Sequence, residues 1–216
     1  GTTEETLAAA EEARKRKARL LVICAGGPLA DFAKKHKLPA YIFAPGDLAK
    51  QPRFAGGFLL IGVLGLFERA GLIKVKEAEL SSMMSSMNEV IDSCAVDVQS
   101  ADNPAKTIAK AIANRSVVIV SSEHLTGNAH ILQNSINENG KQFATNFHLP
   151  ELNHHLLEGL QHPKEFAKHA VAVMLRSELY HPRTQKRYDI TADIFEKQNV
   201  SEFVHKDVLS GIPIGF

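Results

Sequence analysis

Tryptophan is absent from this 216-residue chain, cysteine occurs only twice, and aromatic residues make up just 6% of it. The two cysteines, Cys24 and Cys94, lie far apart in apolar or mixed surroundings. They do not form the patterned even set that staples small secreted domains, so both are expected to be free thiols in a reducing compartment. An excess of either charge is also missing: 25 Lys and Arg face 24 Asp and Glu. Without a global field to draw it to nucleic acid or an anionic membrane, the chain is expected to partner neither. Long apolar runs are missing too. The longest, Phe54 to Phe67, is interrupted by Gly56, Gly57, Gly62 and Gly65 and is too short to span a bilayer, so a buried helix is expected there. No charged leader followed by an apolar core opens the chain, and with the free thiols this makes a cytoplasmic location the expectation. What remains is an ordinary globular composition, 44% hydrophobic, long enough to bury one substantial core or two small ones.

Apolar periodicity and turn residues divide the chain into alternating helices and strands. Leu7 to Ala18 is rich in good helix formers, and Thr2 with Glu5 has capping-box spacing, so a helix is expected to start almost at the first residue. Arg19 to Cys24 is a continuous apolar run closed by Ala25-Gly26-Gly27, which suits a strand covered on both faces. A helix over Leu29 to Lys37 and a strand over Ala40 to Phe43 follow, and helical signals resume over Phe54 to Ala70 and Glu77 to Ser93. Met83, Met84 and Met87 in the last of these suit adaptable packing against a subunit or domain. A second series begins at Pro104, well placed for a helix's first turn. It comprises a helix to Ala113, a strand at Ser116 to Ser121, a helix at Ala129 to Ile136, an extended piece at Gln142 to Asn146, a strand at Val171 to Leu175 and a helix at His181 to Gln198. The order is that of doubly wound parallel sheets, whose ligands sit where loops leave the carboxyl ends of the strands.

Four stretches bear on chemistry when read together: Gly1-Thr2-Thr3-Glu4-Glu5-Thr6, Gln51-Pro52-Arg53, Asn137-Glu138-Asn139-Gly140-Lys141 and Pro150-Glu151-Leu152-Asn153-His154. A fifth, His181-Pro182-Arg183 with Ile190-Thr191, accompanies them. In order and approximate spacing they match the bifunctional phosphoglucose/phosphomannose isomerases built from SIS (sugar isomerase) domains, and the chain resembles that family over most of its length. The resemblance implies an α/β protein of two SIS-type subdomains, residues 1–78 and 79–216. The first would lack sequence native to its parent ahead of Gly1, and the second would stop, at Leu209 to Phe216, where the family continues into further helix.

The implied reaction moves a proton between C1 and C2 of a hexose 6-phosphate, interconverting glucose and mannose 6-phosphate with fructose 6-phosphate. It needs a base, a group that stabilises the enediolate and an acid to open the ring, but no metal or redox cofactor. By resemblance Glu138 is the base, and the Arg53 guanidinium supports the enediolate. His154 opens the ring, reaching the site from the neighbouring subunit, so a homodimer with shared active sites is implied. Thr3, with Thr2 and Thr6, holds the phosphate at a helix start. The chain departs from the family pattern at His155, Leu156 and Leu160, which bears on substrate preference more than on reaction type.

Taken singly, each residue also has a plain structural role: Glu138 in a turn, Arg53 in a solvated loop, His154 packed at a helix start and Thr3 as a cap. Other signals carry less. The basic run Arg14 to Lys17 suits a solvated helix end. His154, His155 and Glu158 match no metal-ligand spacing, and the paired glycines form no nucleotide fingerprint. Two rival readings remain open on the sequence: a sugar-phosphate-binding regulatory module without turnover, and a structural fragment with neither activity.

Overall fold

The computed structural model describes residues 1–47 and 49–203, so the expectation attached to Leu209 to Phe216 lies outside the described residues. The chain divides into two compact units, Gly1–Glu79 and Leu80–Phe216.

In the first unit, β1 (Val22–Cys24) and β2 (Ala40–Ile42) pair in parallel, with Val22 opposite Ala40 and Cys24 opposite Ile42. The strand is shorter than the apolar run that announces it. Val22 N–H donates to the Pro39 carbonyl (3.0 Å), but proline has no N–H to extend the ladder backwards, so Arg19 to Leu21 stay outside. Alternation along the strand separates two small cores. Val22 and Cys24 pack with Leu29, Ala30 and Ala33 of α2 (Pro28–Lys35) and with Leu7 of α1 (Glu4–Lys15). Ile23 and Tyr41 join the opposite cluster, with Phe43, Ala55 and Phe58.

The apolar run expected to be a buried helix is α3 (Gly56–Arg69), but only Gly62 on it is buried. Leu59, Leu60, Ile61, Val63 and Phe67 are 38–50% exposed, because a two-stranded sheet covers only one narrow stripe of a helix that is apolar all round. The glycine sets how closely that stripe approaches: a Cβ on Gly62 would lie 2.5 Å from Tyr41 Cδ1 and 3.3 Å from Ile23 Cγ2.

In the second unit four parallel strands lie in the order β4 (Ala144–His148), β3 (Ser116–Ser121), β5 (Ala170–Met174), β6 (Ser201–Phe203). Every residue of β5, and all of β3 but Ser116, is buried, as continuous apolar runs between two helical layers require. From β3 the chain passes through α6 (Thr126–Glu138) to β4 on one side. It then returns through α7 (Leu152–Gly159) and α8 (Lys164–His169) to β5 on the other, and α9 (Pro182–Lys197) leads on to β6. Right-handed crossovers put α6 on one face and α7 to α9 on the opposite one. Tyr188 and Phe195 of α9, Leu152 of α7 and Leu125 before α6 are among the most deeply buried side chains.

Two helices precede the sheet: α4 (Glu77–Ser93), which starts before the division between the units and on which Met84 and Met87 are about half exposed, and α5 (Pro104–Ile112). Asn103 caps α5, its side chain accepting from Lys106 N–H (2.9 Å) and donating to the Ala95 carbonyl (2.9 Å), and it is 1% exposed. The expected helix at Ala129 to Ile136 is longer at both ends, and the extended piece at Gln142 to Asn146 becomes a strand two residues further on. The helix start offered as the plain role of His154 is that of α7, whereas α8 was not foreseen.

Alanine in place of glycine inside a helix ordinarily stabilises by about 1 kcal/mol. At Gly62 the overlap with Tyr41 reverses that sign, and Gly62→Ala is expected to destabilise by about 1–3 kcal/mol. Urea denaturation compared with the wild type checks this, and a stabilised variant would contradict it.

Candidate active site

The start of α1 lies beside the start of α2, since Leu29 N–H donates to the Gly1 carbonyl (3.1 Å). Because α2 follows β1 through Gly26 and Gly27, both in the left-handed half of conformational space (φ 128° and 71°), this places Thr2, Thr3 and Thr6 at the carboxyl edge of the first sheet. Arg53 belongs to the same edge, in a 3-10 turn (Pro52–Phe54) after β2, with its guanidinium 5.7 Å from the Phe54 ring centre. All four residues are exposed.

The capping box expected from Thr2 and Glu5 does not form. The N-cap is Thr3, one residue later, with extended backbone, and its side chain makes no capping hydrogen bond. The first-turn N–H groups of α1 are therefore not satisfied by that cap and can meet an anion. Glu4 and Glu5 lie in the same turn, where they complement the helix dipole and oppose an incoming negative charge.

In the second unit Glu138 is the last residue of α6 and is exposed. The adjacent Asn137 brackets the first residue of β4, its amide donating to the Ala144 carbonyl (2.8 Å) and accepting from Ala144 N–H (3.3 Å). Glu138 thus lies at the amino edge of the sheet. Lys141, with φ 55°, folds back to donate to the Glu138 carbonyl (2.6 Å).

His154 sits in the first turn of α7, beyond the other end of β4, where Leu149 N–H donates to the Ser121 carbonyl (2.9 Å) at the end of β3. The five residues of β4 separate the two positions, roughly 16 Å at the usual rise per residue. Within one copy, the structure brings the threonines and Arg53 to one edge of the first sheet, but it sets Glu138 and His154 at opposite edges of the second. Of the departures from the family pattern, Leu160 is buried and Leu156 packs against the same core. His155 pairs with Glu151 (2.7 Å) on the surface of α7.

Residues 101–207 match the family model described as the bacterial phospho-glucose isomerase C-terminal SIS domain. Over 200 residues, 91% of its length, the chain is 30% identical to a bifunctional phosphoglucose/phosphomannose isomerase of Caldicellulosiruptor bescii, of which it covers 57%. It is 34% identical over 202 residues to the protein of that name from Aquifex aeolicus, again over 91% of its own length and 56% of the relative.

Over most of its length the chain is similar to the phosphoglucose/phosphomannose isomerases, and residues 101–207 match their C-terminal SIS domain. The chain spans rather more than half the length of these curated relatives. In fold it resembles a glucose-6-phosphate isomerase like protein from Thermus thermophilus, with a TM-score of 0.54 and 19% identity over 88% of this chain and 67% of that one.

Within the SIS domain of the second unit, the topological switch point falls between β3 and β5, where open α/β sheets commonly take a ligand. Here two tyrosines fill it. The Tyr180 hydroxyl accepts from Ser122 N–H (3.3 Å) at the exit of β3 and donates to the Leu175 carbonyl (3.0 Å) at the exit of β5. Tyr188 stacks on it (5.5 Å between ring centres), its hydroxyl 3.5 Å from the Val120 carbonyl. Burial is the main cause that pushes both phenols above their ordinary value, Tyr188 furthest. Nearby polar groups are committed as well: the Glu123 carboxylate accepts from His181 N–H (3.1 and 3.2 Å), and Ser121 Oγ lies 2.9 Å from His148 Nδ1. These tyrosines carried no motif, and only the sheet order shows what they do.

Tyr180→Phe leaves the Ser122 N–H without its partner and is expected to cost about 1–3 kcal/mol in chemical denaturation. Because the folded phenols titrate above their unfolded value of about 10, their contribution is complete below that pH and is lost as pH rises through the folded values. Denaturation curves should show stability falling above roughly pH 10, and less steeply in Tyr188→Phe than in the wild type.

Proposed function

We propose that the protein is a hexose 6-phosphate isomerase, interconverting glucose and mannose 6-phosphate with fructose 6-phosphate through an enediolate, and that it works as a homodimer whose sites combine residues of both copies. Similarity to the phosphoglucose/phosphomannose isomerases supports the reaction class. The observation that carries the shared site is the opposite-edge placement of Glu138 and His154, since a base and a ring-opening acid that act on one sugar cannot both be drawn from a single second unit. A two-fold dimer resolves this, because its symmetry presents the carboxyl edge of one copy's sheet to the amino edge of the other's as easily as the reverse.

In this scheme the phosphate is held at the start of α1 by Thr3, Thr2 and Thr6. His154 of one copy protonates the ring oxygen to open the sugar. The Glu138 carboxylate of the other removes the proton from C2 of the aldose and returns it to C1. The Arg53 guanidinium stabilises the enediolate oxygens while that proton is held. The chemistry calls for no redox group or metal. Free Cys24 and Cys94 support a cytoplasmic setting. Among the described residues no helix is long and apolar enough to cross a membrane, and neither a membrane nor nucleic acid has a part in the scheme.

Glu138→Gln, which keeps the shape of the side chain and removes the base, is expected to abolish isomerisation in a coupled assay while the fold is retained. Complementation tests the shared site. Glu138→Gln and His154→Ala are each expected to be inactive alone, whereas coexpression forms mixed dimers with one intact site of two, about a quarter of wild-type activity at random pairing. No recovery on mixing would show that both groups come from the same copy and would remove the shared-site arrangement. An active Glu138→Gln protein would remove the mechanism.

A further inference from the structure

Helix α7, which carries His154, is only eight residues long and has no side-chain N-cap, so it cannot hold its own orientation against fraying. Apolar burial supplies part of the hold through Leu152 (0% exposed) and Leu157 (9%). Those contacts are non-directional and set depth better than rotation. Two hydrogen bonds to α9 supply direction. At the far end of α7 the Gln198 side chain, at the C-cap of α9, donates to the Leu157 carbonyl (2.8 Å). At the near end Asn153 Nδ2 donates to Thr191 Oγ1 (2.8 Å), and Thr191 is fully buried. Asn153 immediately precedes His154. Rotation of the first turn about the helix axis would therefore break this bond and swing the imidazole together.

We infer that Thr191 is a positioning residue for His154, acting through Asn153. The inference rests on the proposed isomerase reaction and adds to it a residue outside the reacting groups. It also gives a role to a stretch that the chemistry left without one, Ile190-Thr191 in α9. A buried threonine hydroxyl has few partners to choose from, and among the described residues this one meets the side chain next to the proposed acid. The hydroxyl accepts from Asn153, so valine, which matches threonine in shape but cannot accept, removes the tether without opening a cavity.

The test uses the active dimeric protein and four variants: Thr191→Val, Thr191→Ser, His154→Ala and the double variant Thr191→Val with His154→Ala. Thr191→Val is expected to lower kcat by about 10- to 100-fold, as small misplacements of a reacting group do, with KM for glucose 6-phosphate little changed. Thr191→Ser keeps the hydroxyl and is expected to restore most of the rate. In the double variant the loss should be no greater than in His154→Ala alone, because a residue that acts only through the imidazole has nothing left to position. If the two losses multiply, or if Thr191→Val lowers thermal stability with kcat intact, Thr191 is structural and the inference is overturned. If His154→Ala turns over at the wild-type rate, the ring-opening assignment itself fails and takes the inference with it, a result distinct from the first. Should Thr191→Val not fold, Asn153→Ala removes the same bond from its less buried side, and the same comparison with His154→Ala applies.

Discussion

Because β3 and β4 lie side by side and parallel, the chain between them must travel the length of the sheet backwards, and α6 makes that journey. Its last residue, Glu138, is delivered to the amino edge of the sheet. The next strand then carries the chain forward again, and α7 with His154 starts at the carboxyl edge. Nothing in the side chains of these two residues decides this separation. It follows from parallel pairing alone, and it is the placement on which the proposal of a shared site rests. In the same way the return from β4 to β5 creates the switch point at the end of β3, and Tyr180 ties the two strand exits there with its single hydroxyl.

The two units meet the cost of polar groups in different ways. In the second, the important side chains are enclosed and paired: Asn103 caps a helix and holds a distant carbonyl, Thr191 receives Asn153, and the tyrosine pair closes the switch point. In the first, a two-stranded sheet carries three helices, and the phosphate-binding candidates stand exposed at its carboxyl edge. There the helix dipole and first-turn N–H groups that the Thr3 side chain does not cap favour an anion, while Glu4 and Glu5 oppose it. Both act over a few ångströms in water-exposed surroundings, where each is modest.

Much of the architecture was legible before any coordinates. The strand at Ser116 to Ser121 and the helix at Glu77 to Ser93 lie where the sequence pattern put them, because one is a Val/Ile run bounded by serines and the other a long stretch without breakers. Helix α8 was missed and α7 was legible only as a helix start at His154, since six and eight residues are too few to show a helical period and Pro150, Gly159 and Pro163 punctuate them like loops. The apolar run at Phe54 to Phe67 was identified correctly as a helix but not in its burial. Hydrophobicity measures a tendency to be covered, whereas cover depends on how much sheet is available to lie against.

The candidate site divides along the same line. The motifs that carry the family resemblance singled out Glu138, His154, Arg53 and the threonines as candidates, whereas each residue taken singly also had a plain structural role. Which of them share an edge, and which are held apart by a strand's length, was decided by strand order and direction. Those depend on hydrogen bonds between segments distant in sequence and leave no local trace. The roles of Thr191 and Tyr180 belong wholly to the second kind: a buried hydroxyl acquires meaning only from the group that folding places within 3 Å or so of it.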